Sequence, residues 1–224
     1  MKHPIALLWA LLTPLVWESC VIESVTAAST VVYDSFNVNN AFLTSGGWGV
    51  IGASASGGYR GQAQSFVPTL SGSLATIELA IGRSSGSGRN NFGIAQDSGG
   101  SPGTILEGFQ NVVAAGTFGS SYPPLALTSA LHPVLESGQR YWIIAEPADS
   151  TTRSAWNYNT KGFSGIAAFE RAPSTWQTFD TSFAGGDGVF RVSVTPVPEP
   201  SIVTVSLFAL VLAAIRFRNT KSSS

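Results

Sequence analysis

The stretch from Leu74 to Ile81 reads LATIELAI, and its alternation places Ile77, Leu79 and Ile81 on one face. A period of two is typical of a β-strand, because successive side chains of a strand point to opposite sides of the sheet. Similar short runs follow one another along the chain, separated by Gly, Ser, Asn and Pro. The pattern predicts an all-β domain of the β-sandwich or jelly-roll type.

Four other runs share this character and are predicted to be strands: 31–36 (VVYDSF), 62–67 (QAQSFV), 139–145 (QRYWIIA) and 188–195 (GVFRVSVT). The run 139–145 is the most apolar, so we expect it to be a central strand. In the first run, strict alternation would put Val31 and Tyr33 on one face and Val32 on the other. We expect the last run to close the sheet.

The composition narrows the possible functions. Only 11% of the 224 residues are charged, and the formal net charge is −1, so no nucleic-acid partner is expected. The single cysteine, Cys20, lies in a segment that we expect to be removed. The mature domain would then have no disulfide, cysteine nucleophile or thiolate metal site.

The N-terminus has the pattern of a signal peptide over residues 1–27. Lys2 precedes an apolar run, 4–17, that is too short to span a bilayer. Small residues then allow cleavage after Ala27 or Ala28. A lipoprotein signal at Cys20 is an alternative, although Trp17 stands where a small aliphatic residue is needed.

The C-terminal residues 196–221 form three successive parts. A proline-rich spacer comes first, and the uncharged run 202–215 follows it. At about 1.5 Å per residue this run would span roughly 21 Å as a helix, short of the hydrocarbon core of about 30 Å. The basic residues Arg216, Arg218 and Lys221 complete a stop-transfer pattern and should stay cytoplasmic. The preceding domain would then lie outside the cytoplasm.

This tail resembles the PEP-CTERM sorting signal of Gram-negative bacteria. The resemblance rests on the apolar run, on the basic end and on five motif residues: Val197, Pro198, Glu199, Pro200 and Ser201. It implies an exosortase-type processing enzyme as a partner, with cleavage near the motif and only temporary attachment to the inner membrane. An ordinary single-pass anchor is the alternative.

The stretch 29–195 is similar to a choice-of-anchor R domain. The resemblance rests on the order of a Gly-Pro turn (97–103), the YWIIA run (141–145), SAWN (154–157) and VFRV (189–192). It implies an exported protein with an exchangeable anchor, and it implies no activity. We therefore expect the protein to end at the cell surface or outside the cell.

Catalysis has weak support in the sequence. His132 is the only histidine of the expected mature chain, and we expect it to be a loop residue. Glu146 and Asp149 are candidate carboxylates for a glycan hydrolase. Asp97 with Asp149, Asp180 or Asp187 is an alternative site for structural calcium, while ordinary turns explain the same residues more simply. No other metal or cofactor is expected.

Four aromatic residues are candidates for binding glycans: Trp48, Trp156, Tyr158 and Trp176. In the run 156–159 (WNYN), alternation would place two rings on one face and two carboxamides on the other. Rings that stack on sugars also pack well in cores, so core packing is the alternative for Trp156 and Tyr158. Trp48 and Trp176 lie in loop-like sequence and are better candidates for exposure.

Together these features predict an exported, non-catalytic surface or matrix protein associated with exopolysaccharide or biofilm. The alternatives are a carbohydrate-binding module that uses the aromatic residues and a hydrolase that uses loop carboxylates.

Overall fold

The computed structural model describes residues 28–162, 165–173, 175–181 and 186–197, and within them the chain is all-β. The strands are, in chain order, β1 (Thr30–Asp34), β2 (Leu43–Ile51), β3 (Gly61–Phe66), β4 (Gly72–Leu79), β5 (Ile81–Ser85), β6 (Arg89–Asp97), β7 (Pro102–Val113), β8 (Gly116–Thr117), β9 (Leu125–Thr128), β10 (Val134–Leu135), β11 (Tyr141–Pro147), β12 (Arg153–Tyr158), β13 (Ile166–Glu170), β14 (Gln177–Asp180) and β15 (Phe190–Pro196). A 3-10 turn, Val38–Asn40, lies between β1 and β2.

The strands form three sheets. The six-stranded sheet has the order β14-β13-β3-β11-β6-β7, so β11 lies inside it, as its apolar sequence predicts. The five-stranded sheet has the order β1-β15-β4-β10, and β9 also pairs with β4. The four-stranded sheet has the order β2-β12-β5-β8. The pairings are antiparallel except for that between β5 and β8.

The main core lies between the five-stranded and six-stranded sheets, in a sandwich-like arrangement. The five-stranded sheet contributes Leu74, Ile77, Leu79, Phe190, Val192 and Val194 to it. The six-stranded sheet contributes Phe66, Phe92, Ile94, Tyr141, Ile143 and Ala145. The four-stranded sheet adds Val50, Ile81 and Trp156. Alternate residues of all three sheets therefore meet in one apolar cluster, which is the dominant source of stability in such a fold.

The six-stranded sheet also buries its opposite face. A second cluster there contains Ala63, Ala95, Trp142, Ile144 and Ala168, with Ile166 and Trp176 packed against it. Because Trp142 and Ile143 are neighbours on β11, they point to opposite sides of the sheet. This second face matters for the candidate site, because it separates Trp176 from the other candidate rings.

The predicted strand 74–81 is in fact two strands. Ile77, Leu79 and Ile81 all lie in the main core, as predicted. At Ala80, however, the chain leaves the five-stranded sheet and enters the four-stranded one. The Ala80 amide donates to the Val189 carbonyl and its carbonyl accepts from the Asn157 amide at 2.8 Å, so this residue joins the two sheets.

The first predicted strand contains a β-bulge that breaks its alternation. Val31 pairs with Ser193 and Tyr33 pairs with Val192, which leaves Val32 as an extra residue. Val32 is buried and Val31 is 49% exposed. Tyr33 nevertheless packs in the core, with its ring stacked on Phe190 at 4.6 Å. The predicted opposition of Val32 and Tyr33 is therefore wrong, because the bulge turns both toward the core.

Candidate functional site

Four aromatic rings from four strands meet beside the main core. Trp48 lies on β2, Tyr158 on β12, and Phe169 and Phe179 on the paired strands β13 and β14. The Trp48 ring contacts the rings of Tyr158 and Phe179 edge to face, with centroids 5.4 and 5.0 Å apart. The Phe179 ring also contacts the Phe169 ring, with centroids 5.8 Å apart. The indole nitrogen of Trp48 donates to the Gly186 carbonyl at 3.2 Å, which fixes the ring.

Glycines of β2 make this arrangement possible. A side chain at Gly47 would place its Cβ atom 2.6 Å from the Trp156 carbonyl oxygen, and one at Gly46 would meet the Tyr158 ring at 2.9 Å. The pairing of β2 with β12 also shifts register between Asn157 and Tyr158. The glycine-rich sequence before Trp48 therefore allows β2 to approach β12 closely.

A cavity of about 190 Å³ opens beside these rings. Its lining consists of Trp48, Arg60, Gln62, Phe169 and Arg171, and we call it the Trp48 pocket. Two backbone hydrogen bonds join Arg60 to Ile51 of β2, and the Gln62 side-chain amide donates to the Gly49 carbonyl at 2.8 Å. Arg171 lies over the Phe169 ring, 5.7 Å from its centroid. Strands thus position the pocket's two aromatic side chains, and its two arginines lie directly before β3 and directly after β13.

Trp156 does not belong to this pocket. Its side chain is 1% exposed, and its indole nitrogen donates to the Val189 carbonyl at 2.9 Å. A side chain at Gly188 would come within 2.8 Å of the ring, so the backbone before β15 lies directly against it. Burial leaves Trp156 no face for a sugar, which removes it from the candidate glycan-binding residues. It packs in the core, the alternative that the sequence left open.

The two carboxamides of the 156–159 run also have structural roles. Asn157 is fully buried; its amide nitrogen donates to the Leu43 carbonyl at 2.8 Å, and its oxygen accepts from the Tyr122 hydroxyl. Asn159 is buried too, and its amide nitrogen donates to the Asp187 carbonyl at 3.3 Å. These bonds hold loops beside the four-stranded sheet, so both carboxamides are engaged within the fold.

Trp176 lies on the other side of the six-stranded sheet. It is half-buried and packs against the second cluster, which contains Trp142 and Ala168. The Trp48 pocket instead lies on the side of the main core. The four predicted rings are therefore divided: Trp48 and Tyr158 meet, while Trp156 and Trp176 lie elsewhere.

The predicted carboxylate pair of Glu146 and Asp149 has two separate roles. The Asp149 carboxylate accepts from the Ser87 hydroxyl at 2.5 Å, from the Thr151 hydroxyl and amide, and from the Thr152 amide. The hydrogen bonds from Ser87 and Thr151 lower its pKa to about 2. Asp149 is thus a turn residue, as the simpler interpretation of the sequence holds.

Glu146 interacts with Glu170 of β13. Burial and then the adjacent Glu170 carboxyl raise the pKa of Glu146 to about 7. Glu170 is fully buried; its Oε1 accepts from the Tyr59 hydroxyl at 2.6 Å, and its Oε2 has no hydrogen-bond donor among the described residues. A proton held by Glu146 would supply that missing donor. Glu170 is therefore closed to solvent, while Glu146 is half-buried.

His132 is a loop residue, as predicted. Its ring Nδ1 lies 3.0 Å from the Leu74 carbonyl, and its backbone amide donates to the Ser129 hydroxyl. Ser129 in turn donates to the buried Glu107, which also accepts from the Ala130 and Leu131 amides. Burial alone would raise the pKa of Glu107, but these hydrogen bonds outweigh it and lower the pKa. The Ser129 hydroxyl donates to the Glu107 carboxylate and not to the His132 ring. Ser129, Glu107 and His132 therefore hold the loop that contains His132 in place.

The aspartates proposed for calcium do not all converge. Asp97 and Asp149 lie near opposite ends of β11. Asp97 is next to Gln96, which pairs with Tyr141 at the start of β11, and Asp149 comes two residues after Pro147 at its end. The seven residues of β11 separate them by about 20 Å or more. Asp97 instead accepts from the Trp142 indole at 2.8 Å and from the Gly100 amide at 3.0 Å. Within the described ranges, no group of three or more His, Cys, Asp or Glu side chains is placed to hold a metal ion.

A second cavity, of about 430 Å³, lies beside the Asp97 turn. It is lined by polar side chains that include Gln96, Glu136, Gln139 and Arg140. The one ring that borders it, Tyr141, is buried and accepts from the Glu136 amide through its hydroxyl. This cavity therefore offers polar groups without an exposed ring for stacking.

The predicted export and sorting segments lie outside the described residues, except for Pro196, the last residue of β15, and Val197, which is exposed directly after it. Among the residues that are described, no helix has the length and apolar character needed to cross a membrane. Comparison with protein-family models, curated proteins and solved structures finds no match for this chain. Both family resemblances therefore stay predictions from the sequence.

Sequence patterns alone miss most of the Trp48 pocket. Gln62 lies on β3 and Phe169 on β13, and these two strands pair although about a hundred residues separate them in the chain. Arg60 directly precedes β3, and Arg171 directly follows β13. One local signal exists: Phe169 and Phe179 flank Pro173 within two short alternating runs, a spacing that is compatible with a hairpin. That signal predicts the β13–β14 pair but not its neighbours.

Proposed function

We propose that this chain is an exported, non-catalytic surface or matrix protein whose β-sandwich domain binds polysaccharide through the Trp48 pocket. The export signal, the PEP-CTERM-like sorting tail and the exosortase partner are parts of this proposal that rest on the sequence. The observation that carries the binding role is the meeting of Trp48 and Phe169 with Arg60, Gln62 and Arg171 around one cavity.

The chemistry of the lining supports a saccharide ligand. Aromatic faces contact the apolar faces of sugar rings, while guanidinium groups donate hydrogen bonds to their oxygens. The Gln62 amide is buried and already donates to Gly49, so it supports the wall of the pocket. Trp48 and Phe169 are half-buried, so each ring is held by the fold and still has exposed surface. At about 190 Å³, the pocket is smaller than the roughly 300–1,000 Å³ typical of sites for drug-sized ligands. It suits one sugar residue of a longer polymer.

The same lining supports binding without catalysis. Carboxylate-based glycoside hydrolysis needs an acid and a base or nucleophile beside the scissile bond. None of the five side chains around the Trp48 pocket carries a carboxyl group. The best carboxyl pair, Glu146 with Glu170, includes a fully buried member.

Affinity electrophoresis of the protein in gels that contain bacterial exopolysaccharide tests the proposal. We expect the native protein to be retarded and Trp48→Ala to migrate as it does in a gel without polysaccharide. Trp176→Ala is the matched control, because it removes a half-buried indole from the other side of the six-stranded sheet. Thermal unfolding of both variants verifies that they remain folded. Equal retardation of Trp48→Ala and the native protein would overturn the proposed site.

A further inference from the structure

The charges of the Trp48 pocket indicate which class of polysaccharide it binds. We infer that the ligand is an anionic polysaccharide, whose carboxylate or sulfate groups are bound by Arg60 and Arg171 while its sugar rings contact Trp48. This inference rests on the proposed function and specifies its ligand.

Neither guanidinium of the pocket has an anionic partner in the described part of the chain. The ion pairs there involve Arg140 and Arg191 only. Arg191 shows how this fold satisfies a structural arginine: it contacts Asp34 at 3.1 Å, Glu78 at 2.8 Å and Asn40 at 2.8 Å. Arg60 and Arg171 lack such carboxylates, although the chain has a slight excess of acidic residues. Their charges are therefore available to a ligand.

Both arginines are held where a ligand on Trp48 would meet them. Arg60 is half-buried, and its backbone is fixed to Ile51 by two hydrogen bonds, of 2.8 and 2.9 Å. Arg171 is exposed, and its guanidinium lies over the Phe169 ring, which leaves the N–H edge free to donate. Two planar guanidinium groups at one cavity match carboxylate or sulfate oxygens through paired hydrogen bonds.

Rings and arginines also bind single-stranded nucleic acid, so that alternative requires a test. The pocket offers two cationic groups, and the chain has a formal net charge of −1. Nucleic-acid grooves need a longer track of positive charge along the phosphate backbone.

Isothermal titration of the purified full-length protein with four probes tests the inference. The probes are tetragalacturonate, its neutral methyl ester, a sulfated tetragalactose and oligo-dT of similar length. We expect an acidic saccharide to bind at least tenfold more tightly than the methyl ester, with affinity that falls as salt rises. Comparison of the carboxylated and sulfated probes identifies the preferred anion.

Variants connect the preference to the two side chains. Arg60→Gln and Arg171→Gln should each weaken binding of the acidic saccharide about tenfold and leave binding of the methyl ester nearly unchanged. Arg140→Gln is the matched control, because it removes the same charge outside the Trp48 pocket. An equal effect of all three variants would overturn the assignment to this pocket.

The outcomes also separate this inference from the proposed function. Equal affinity for acidic and neutral saccharides would overturn the anionic preference and leave polysaccharide binding in place. No binding of any saccharide would overturn both. Tighter binding of oligo-dT than of the saccharides would overturn both in favour of a nucleic-acid ligand.

Discussion

The Trp48 ring stands edge to face against the Tyr158 ring, with their centroids 5.4 Å apart. The two residues lie on neighbouring strands, and the register shift after Asn157 brings their side chains together. The contact holds the Trp48 indole at the border of the core, where one part of it packs and another part faces the pocket. Tyr158 thus positions the ring that we propose to contact the sugar.

Shortening Tyr158 should therefore weaken saccharide binding indirectly. Aromatic pairs of this geometry contribute about 0.5–1.5 kcal/mol beyond simple burial. We expect Tyr158→Ala to weaken binding about fivefold, because the Trp48 indole loses its support. Tyr158→Phe keeps the ring and should bind within about twofold of the native protein. Titration calorimetry measures both, and a large loss in Tyr158→Phe would show instead that the hydroxyl touches the ligand.

Replacing Trp156 should affect stability. Trp156→Phe removes the hydrogen bond to Val189 and leaves space in a fully packed core. We expect the free energy of unfolding to fall by about 2 kcal/mol. Trp176→Phe, at a half-buried position, should cost less than about 1 kcal/mol. Urea denaturation measures both, and equal losses would contradict the burial difference between the two indoles.

Glu146 should make stability depend on pH near neutrality. Burial and the neighbouring Glu170 raise its pKa in the folded chain from the ordinary value of 4.5 to about 7. Between pH 4.5 and about 7, the folded state therefore keeps a proton on Glu146 that the unfolded state loses. Its stabilising contribution is complete below pH 4.5 and is lost as pH rises to about 7. Because Glu146 is half-buried, we expect a loss of only about 1 kcal/mol.

The variant Glu146→Gln tests this dependence, since glutamine cannot ionise. Over the range from pH 5 to 8, the free energy of unfolding of the native protein should fall relative to that of Glu146→Gln. Glu136→Gln, a change of an exposed glutamate in a turn, is the control and should follow the native curve. Parallel curves for the native protein and Glu146→Gln would contradict the shared proton with Glu170.

The ends of the mature protein test the sorting proposal. Mass spectrometry of the surface form should find an N-terminus at Ala28 or Ser29 and no peptide from the apolar run 202–215. A chain cut near Pro198–Pro200 is the result that a PEP-CTERM tail predicts. Recovery of Phe208 to Arg218 in the surface form would instead indicate a permanent anchor.

Local patterns predict the class of this fold because alternation and apolar runs depend on each strand alone. LATIELAI is buried as its period indicates, and the YWIIA run lies inside a sheet. The bulge at Val32 and the change of sheet at Ala80 depend on partners from distant parts of the chain. No local signal distinguishes them from a regular strand.

The candidate site is harder to predict for the same reason. Trp48, Trp156 and Trp176 all stand in sequence rich in small or polar residues, yet one borders a pocket, one is in the main core and one lies on another face. Which side of a sheet becomes buried is decided when the sheets stack. The turn role of Asp149, by contrast, depends largely on neighbouring Thr151 and Thr152 and was predictable.

Contact between Trp48 and a saccharide should change the tryptophan indole N–H signals in a ¹⁵N–¹H spectrum. The full-length protein is titrated with tetragalacturonate and then with its methyl ester, with signals assigned by Trp→Phe variants. We predict that the Trp48 signal shifts in a saturable manner, while the signals of the buried Trp142 and Trp156 stay in place. A saturable shift of the Trp176 signal with the Trp48 signal unchanged would show that the saccharide binds on the other side of the six-stranded sheet and not at the Trp48 pocket.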